Sequence, residues 1–179
     1  YLHDWYFGEP VPATGAAADG ALPAPRIISL AGSVPIVTME PFAEFLIGMG
    51  YPAASIRHPN DGTYTFGYYD NSDMIAGVIA WYYENDGLRP MMVGFSQGAM
   101  MSLHVAPRRP TPIAGVVAIS GRLLRLESLD AEAVVKPPVL LVHGDQDPVV
   151  PFESMGMAGD ALVTAGFPTF AHVMKGAAH

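Results

Sequence analysis

The chain has 179 residues, one domain's worth, and half of them are apolar while only 15% are charged, which excludes a disordered chain. Seventeen acidic against nine basic residues leave a net charge of −8, which argues against nucleic acid or an anionic membrane as the main partner, since phosphate binding needs clustered Lys and Arg. With no cysteine there is no disulfide, no thiolate metal site and no cysteine nucleophile, and no apolar run approaches the ~20 residues of a membrane span.

Residues 1–25 combine an aromatic cluster, "YLHDWYF", with a Pro/Ala/Gly-rich stretch, and are expected to form a short N-terminal extension or edge strand and then a surface loop. The chain starts without Met and without a basic-then-apolar signal pattern, so a processed or trimmed start is expected and the compartment is not legible. From Arg26 short β-branched runs alternate with helical patterns. "RIISLAG" reads as a strand. Thr38 is placed to cap a helix carrying Phe42, Phe45, Leu46 and Met49, which Gly50 and Pro52 stop. "ASIR" reads as a weak strand and residues 60–70 as an aromatic, turn-rich loop. A helix is expected from Ser72, with Ile75, Val78, Ile79 and Tyr82 inward and "NDG" at its end. "RPMMVG" is then a strand, residues 97–106 a helix stopped by Pro107, and "IAGVVAIS" and "PPVLLVHG" two buried strands. Residues 152–165 make a helix and "TFAHVM" a last strand. This alternation implies a parallel sheet with helices on both faces, in a single α/β domain over residues 1–179.

Reactive groups in such sheets gather at the carboxyl ends of the strands. "GFSQG", residues 94–98, lies at one such end, between an apolar strand and a helix. A serine on a sharp strand-to-helix turn needs small flanking residues, because side chains there would collide with the neighbouring helix and strand, so Ser96 reads as a nucleophile. Its hydroxyl needs a base and the base an orienting acid, in the chain order Ser, acid, His. Asp145 and Asp147 of "LLVHGDQDPVVP" follow the next-to-last strand, and His179 follows the last. The residue after the nucleophile, Gln97, supplies one oxyanion donor through its backbone N–H.

In combination, "VGFSQGAMMSL", "GVVAISGRLL" and "PPVLLVHGDQDPVVPFESM" resemble the carboxylesterase/phospholipase family of α/β-hydrolases, which includes the acyl-protein thioesterases. The resemblance runs from about Met91 to His179, and residues 26–90 match only in element order. It implies an α/β-hydrolase fold, with Ser96 as nucleophile, Asp147 as orienting acid and His179 as base. The family's "HG" at the oxyanion loop is here "LAGSVP", with Ala31 in the histidine's place and Gly32 retained, so the second donor falls to Ser33 or Val34. Such hydrolases normally follow the histidine with a helix. None is in this sequence, and the chain is expected either to continue or to hold His179 poorly.

Among the other histidines, His143 reads as a structural loop contact, and His104 lies about 12 Å along a helix from Ser96, too far for a hydrogen bond. His172 is inside a strand, His3 and His58 precede the serine, and His58 falls where it would line the pocket. Asp145 reads as a turn former or loop brace if Asp147 is the acid. "HGDQD" lacks the spaced ligands of a zinc site, so neither metal nor cofactor is expected. The short stretch between "AISGRLL" and "PPVLLVHG" leaves no room for a substantial lid, which favours small, soluble, short-acyl esters. Met100, Tyr64 and Phe66 are candidates for the acyl-pocket wall. The alternatives are a thioester or lysophospholipid substrate and, in another class, a non-catalytic binding domain. Oligomeric state cannot be read from the residues.

Overall fold

A computed structural model describes residues 23–33, 38–58, 61–66 and 72–179. The first strand, β1, is Ile27–Leu30. Helix α1 (Glu40–Gly48), a 3-10 turn at Ala53–Ser55 and helix α2 (Ser72–Asp86) lead to β2 (Met91–Phe95). Then come α3 (Gln97–Arg108), β3 (Gly115–Ile119), a second 3-10 turn at Leu126–Ser128, α4 (Leu129–Glu132), β4 (Val139–Gly144), α5 (Glu153–Thr164) and β5 (Thr169–Met174). The strands form one sheet in the order β1-β2-β3-β4-β5, every pairing parallel. Parallel neighbours need crossovers, and these put helices on the faces.

On one face Ile28, Leu30, Met92, Val116, Ala118, Val139 and Leu141 meet Ile75, Ile79 and Tyr82 of α2, Leu103 of α3 and Leu162 of α5. On the other, Ile27, Met91 and Val93 lie under Met39, Ala43 and Ile56. The expected inward stripe of α2 is therefore present. Burying a Leu- or Ile-sized side chain contributes roughly 1.5–3 kcal/mol.

Four expectations are corrected. Helix α1 has Met39, not Thr38, at its N-terminal boundary, and the Met39 N–H donates to Thr65 Oγ1 at 2.9 Å. Its buried residue is Ala43, whereas Phe45 and Met49 are 63% and 71% exposed. "ASIR" is not a strand: Pro52 is followed by the 3-10 turn. The place beside β1 is taken by Phe66, whose N–H donates to Ser29 O at 2.8 Å in a single parallel bridge. Pro107 does not stop α3, which runs to Arg108. Pro107 has no N–H to give the Leu103 carbonyl, and the helix ends one residue later. The Pro107 carbonyl accepts from Val134 N–H at 2.7 Å.

The register pairs Leu30 with Gly94, Phe95 with Ile119, Ile119 with Val142 and Gly144 with Met174. All strands therefore end along one edge of the sheet. Gly32, Ser96, Ser120, Asp145, Asp147 and His179 all follow strand ends on that edge.

Candidate active site

β2 delivers the chain to Ser96 in one step, and the serine adopts φ 54°, ψ −116° before α3 begins. A non-glycine residue in such space costs of order 1–3 kcal/mol and persists only where its surroundings hold it. Here the Ser96 N–H donates to Ile119 O at 2.8 Å, and Ser96 O accepts from Met100 N–H at 3.1 Å. The turn is tight enough to require Gly94 and Gly98. A Cβ on Gly98 would run into the Leu30 carbonyl, and one on Gly94 into the Gly98 carbonyl, both far inside the 3.0 Å that real Cβ atoms keep. Helix α3 thus starts immediately after the serine, with Gln97 as its first residue.

The loop after β1 lies against the same serine. A Cβ on Gly32 would sit 3.2 Å from Ser96 Cβ and 3.6 Å from Ser96 Oγ. Ser33, next along, is exposed; Val34 lies outside the described residues. Of the pocket candidates, Met100 is half-buried in the first turn of α3, and half-buried Tyr64 carries the Arg57 guanidinium 4.6 Å over its ring. Phe66 differs from expectation. It is 1% exposed and belongs to the core, packed on His58 with ring centres 4.3 Å apart, because its bridge to β1 draws it inward.

The loop after β4 places its two aspartates differently. Asp145 Oδ1 accepts from Gly176 N–H at 2.6 Å, bracing the loop that carries His179. Gln146 N–H adds a bond to Ala177 O at 3.0 Å. The Asp147 side chain is fully buried and turns inward. Its Oδ1 accepts from Val149 N–H at 2.8 Å and Val150 N–H at 2.9 Å, and its Oδ2 faces His179 Nδ1 at 2.8 Å. Burial pushes this carboxyl upward, but the Val150 N–H, the His179 ring and the Val149 N–H outweigh it and hold it down at about 2. It is therefore an anion at any ordinary pH. The His179 ring also packs on Phe95, centres 4.8 Å apart, so the residue before the serine supports the ring that Asp147 holds.

The remaining histidines are elsewhere in role or place. His143, at the end of β4, is 1% exposed and bonds Val150 O through Nε2 at 3.0 Å, the loop contact expected of it. His104 is in α3 with Nδ1 buried and unpartnered, and its pKa is pulled down by burial and by Arg108. His172 is exposed on β5, His58 Nδ1 lies 3.4 Å from Asp61, and His3 is outside the described residues. Among the described residues no three His, Cys, Asp or Glu side chains come together as a metal site, and no helix is long and apolar enough to cross a membrane. Two contributors escaped the sequence reading: Phe95 as a support for His179, and the approach of His143 to Asp147. The only trace of either in the sequence is position, one residue before the serine and four before the acid.

The phospholipase/carboxylesterase family profile matches residues 88–179, just over half of the chain and the part that carries the serine, the acid and the histidine. The chain belongs to this family. Acyl-protein thioesterase 1 of Neurospora crassa is 38% identical over 85 residues, which are 44% of this chain and 34% of that protein. Esterase YpfH of Escherichia coli is 36% identical over 75 residues, 42% of this chain and 31% of that protein. The matched segments thus span about a third of these relatives' length. Among solved structures, esterase PE8 superposes with a TM-score of 0.68 at 25% identity, covering 87% of this chain and 84% of that one. The superposition reaches well beyond residues 88–179, so described residues ahead of position 88 in this phospholipase/carboxylesterase chain share the α/β-hydrolase fold where the family's sequence pattern fades.

Proposed function

We propose that this chain is a serine hydrolase that cleaves carboxylic esters by acyl transfer, with Ser96 as nucleophile, His179 as base and Asp147 as the acid that orients it. The observation that carries the reading is the 2.8 Å contact of Asp147 Oδ2 with His179 Nδ1, on the sheet edge where Ser96 is held in strained backbone space. A carboxylate can only accept, so Nδ1 carries the proton and Nε2 keeps a lone pair for the serine. His179 takes the Ser96 proton as Oγ attacks the carbonyl carbon, and Asp147 stabilises the imidazolium. The oxyanion falls to the N–H of Gln97 and one from the Gly32 loop, at Ser33 or Val34. The imidazolium returns its proton to the leaving alcohol, and water activated by the same ring then releases the acid from the acyl-enzyme. These steps use only the chain's own side chains and backbone N–H groups together with water, so no cofactor is needed.

The short connection between β3 and β4, a 3-10 turn and a four-residue helix, supports small soluble short-acyl esters. Thioesters undergo the same steps, and the name of the thioesterase relative favours testing them. The decisive measurement is active-site labelling. A phosphonate should become covalently attached to the parent and not to Ser96→Ala, and the parent should turn over a short nitrophenyl ester. Absence of labelling would favour the non-catalytic binding domain. The ratio of ester to thioester turnover separates the two substrate classes.

A further inference from the structure

Oδ2 of Asp147 has a second imidazole beside it. His143 Nε2 lies 3.4 Å from that oxygen, with both side chains buried, while His179 Nδ1 approaches the same atom at 2.8 Å. The protonation of His143 Nε2 follows from its other neighbour. It is 3.0 Å from the Val150 carbonyl, which can only accept, so Nε2 bears the hydrogen. The main bond goes to Val150, and the positive end of the same N–H lies against Oδ2 at a distance beyond a good hydrogen bond. Val150 is held at both ends, its carbonyl by His143 and its N–H by Asp147 Oδ1. The ring edge of His143 is fixed against Phe152, centres 6.1 Å apart. Among the described residues, the titratable groups facing Asp147 are thus His143 and His179, since Asp145 turns away to Gly176.

We propose that His143 is a positioning residue of the catalytic acid: its Nε2–H fixes the Asp147 carboxylate through Val150 and, facing Oδ2, limits the negative charge that Asp147 presents to His179. The proposal rests on the hydrolase reading above. Its consequence is a sign. A base whose acid partner is too negative keeps its proton to higher pH and is idle there. His143 therefore weakens the hold of the Asp147 charge on the His179 proton. A histidine that merely tied the loop to β4 would have the opposite effect when removed. A loosened Asp147 would hold His179 less well, and the ring would lose its proton more easily.

The experiment is the pH profile of kcat/KM for a short nitrophenyl ester in His143→Leu and His143→Gln. Glutamine can place an amide N–H near the position of Nε2, so His143→Gln should keep the profile and stay within about threefold of the parent rate. His143→Leu should lose on the order of tenfold, the cost typical of removing an outer partner of a functional ligand. Its acid limb should move to higher pH. An acid limb that stays put or moves down in His143→Leu overturns the proposal, as does His143→Gln behaving like His143→Leu. A reading that needs no variant is nitrogen NMR of the parent with labelled histidine. His143 should be the Nε2–H tautomer, and its ring proton should shift as His179 titrates. An Nδ1–H tautomer, or a resonance unmoved through that titration, overturns the proposal even if the variants do not fold. Hydrolysis that persists in Ser96→Ala would defeat the hydrolase reading, and this proposal with it. Ser96-dependent hydrolysis with a His143→Leu profile like the parent's would defeat the proposal alone.

Discussion

Replacing Asp147 with asparagine exchanges one oxygen for an amide nitrogen, and the surrounding bonds dictate which one. The Val149 and Val150 N–H groups, at 2.8 and 2.9 Å from Oδ1, need an acceptor, so the amide oxygen stays there. The NH2 then takes the place of Oδ2, 2.8 Å from His179 Nδ1 and 3.4 Å from the His143 Nε2–H. Nδ1 must become an acceptor, its proton moves to Nε2, and the ring has no lone pair left for Ser96. Serine hydrolases with this tautomer error lose about 10⁴ in kcat, close to 5 kcal/mol of transition-state stabilisation at about 1.4 kcal/mol per decade. Asp145→Asn is a different change. An amide oxygen can still accept the Gly176 N–H that Oδ1 holds at 2.6 Å, so only the charge assistance is lost, about 1 kcal/mol and under tenfold in rate. Initial rates on a short nitrophenyl ester, with circular dichroism to establish folding, compare the two. A loss below a hundredfold in Asp147→Asn, or an equal loss in Asp145→Asn, would refute the reasoning.

Ser96→Ala should remove hydrolysis by several orders of magnitude while leaving the denaturation midpoint near the parent's, since alanine can occupy the same strained turn; turnover within tenfold of the parent would move the nucleophile elsewhere. His179→Ala should abolish whatever activity Ser96→Ala abolishes, and His172→Ala, on exposed β5, should spare it; steady-state rates of the pair decide. Gly98→Ala should destabilise by roughly 1–3 kcal/mol and cripple the site, because the new Cβ meets the Leu30 backbone, which cannot rotate away; an unchanged urea midpoint would contradict this. Asp147 is held at about 2 against its ordinary 3.8, so it contributes roughly 2 kcal/mol of stability above pH 4. That contribution is lost as the pH falls through 2. Melting temperatures between pH 5 and 2 should therefore fall less steeply in Asp147→Asn than in the parent.

Much of the architecture was legible because its causes are local. The β-branched runs, the helical stripe of Ile75, Ile79 and Tyr82, and the glycines around Ser96 each answer to sequence periodicity or to the space a backbone leaves. Elsewhere a distant contact overrides the local signal: it is Phe66, not "ASIR", that makes a strand-like bridge, to Leu30, and helix α1 buries Ala43 while Phe45 and Met49 face outward. The site divides along the same line. The order of serine, acid and histidine, and the turn that strains the serine, are written in the residues themselves. Residue type alone did not separate Asp145 from Asp147, since both are aspartates two positions apart on one loop. Only the tertiary structure decided how that loop folds, giving one carboxylate to Gly176 and burying the other between two imidazoles, because a carboxylate's partners are set by which N–H groups the packed sheet edge brings within 3 Å of it.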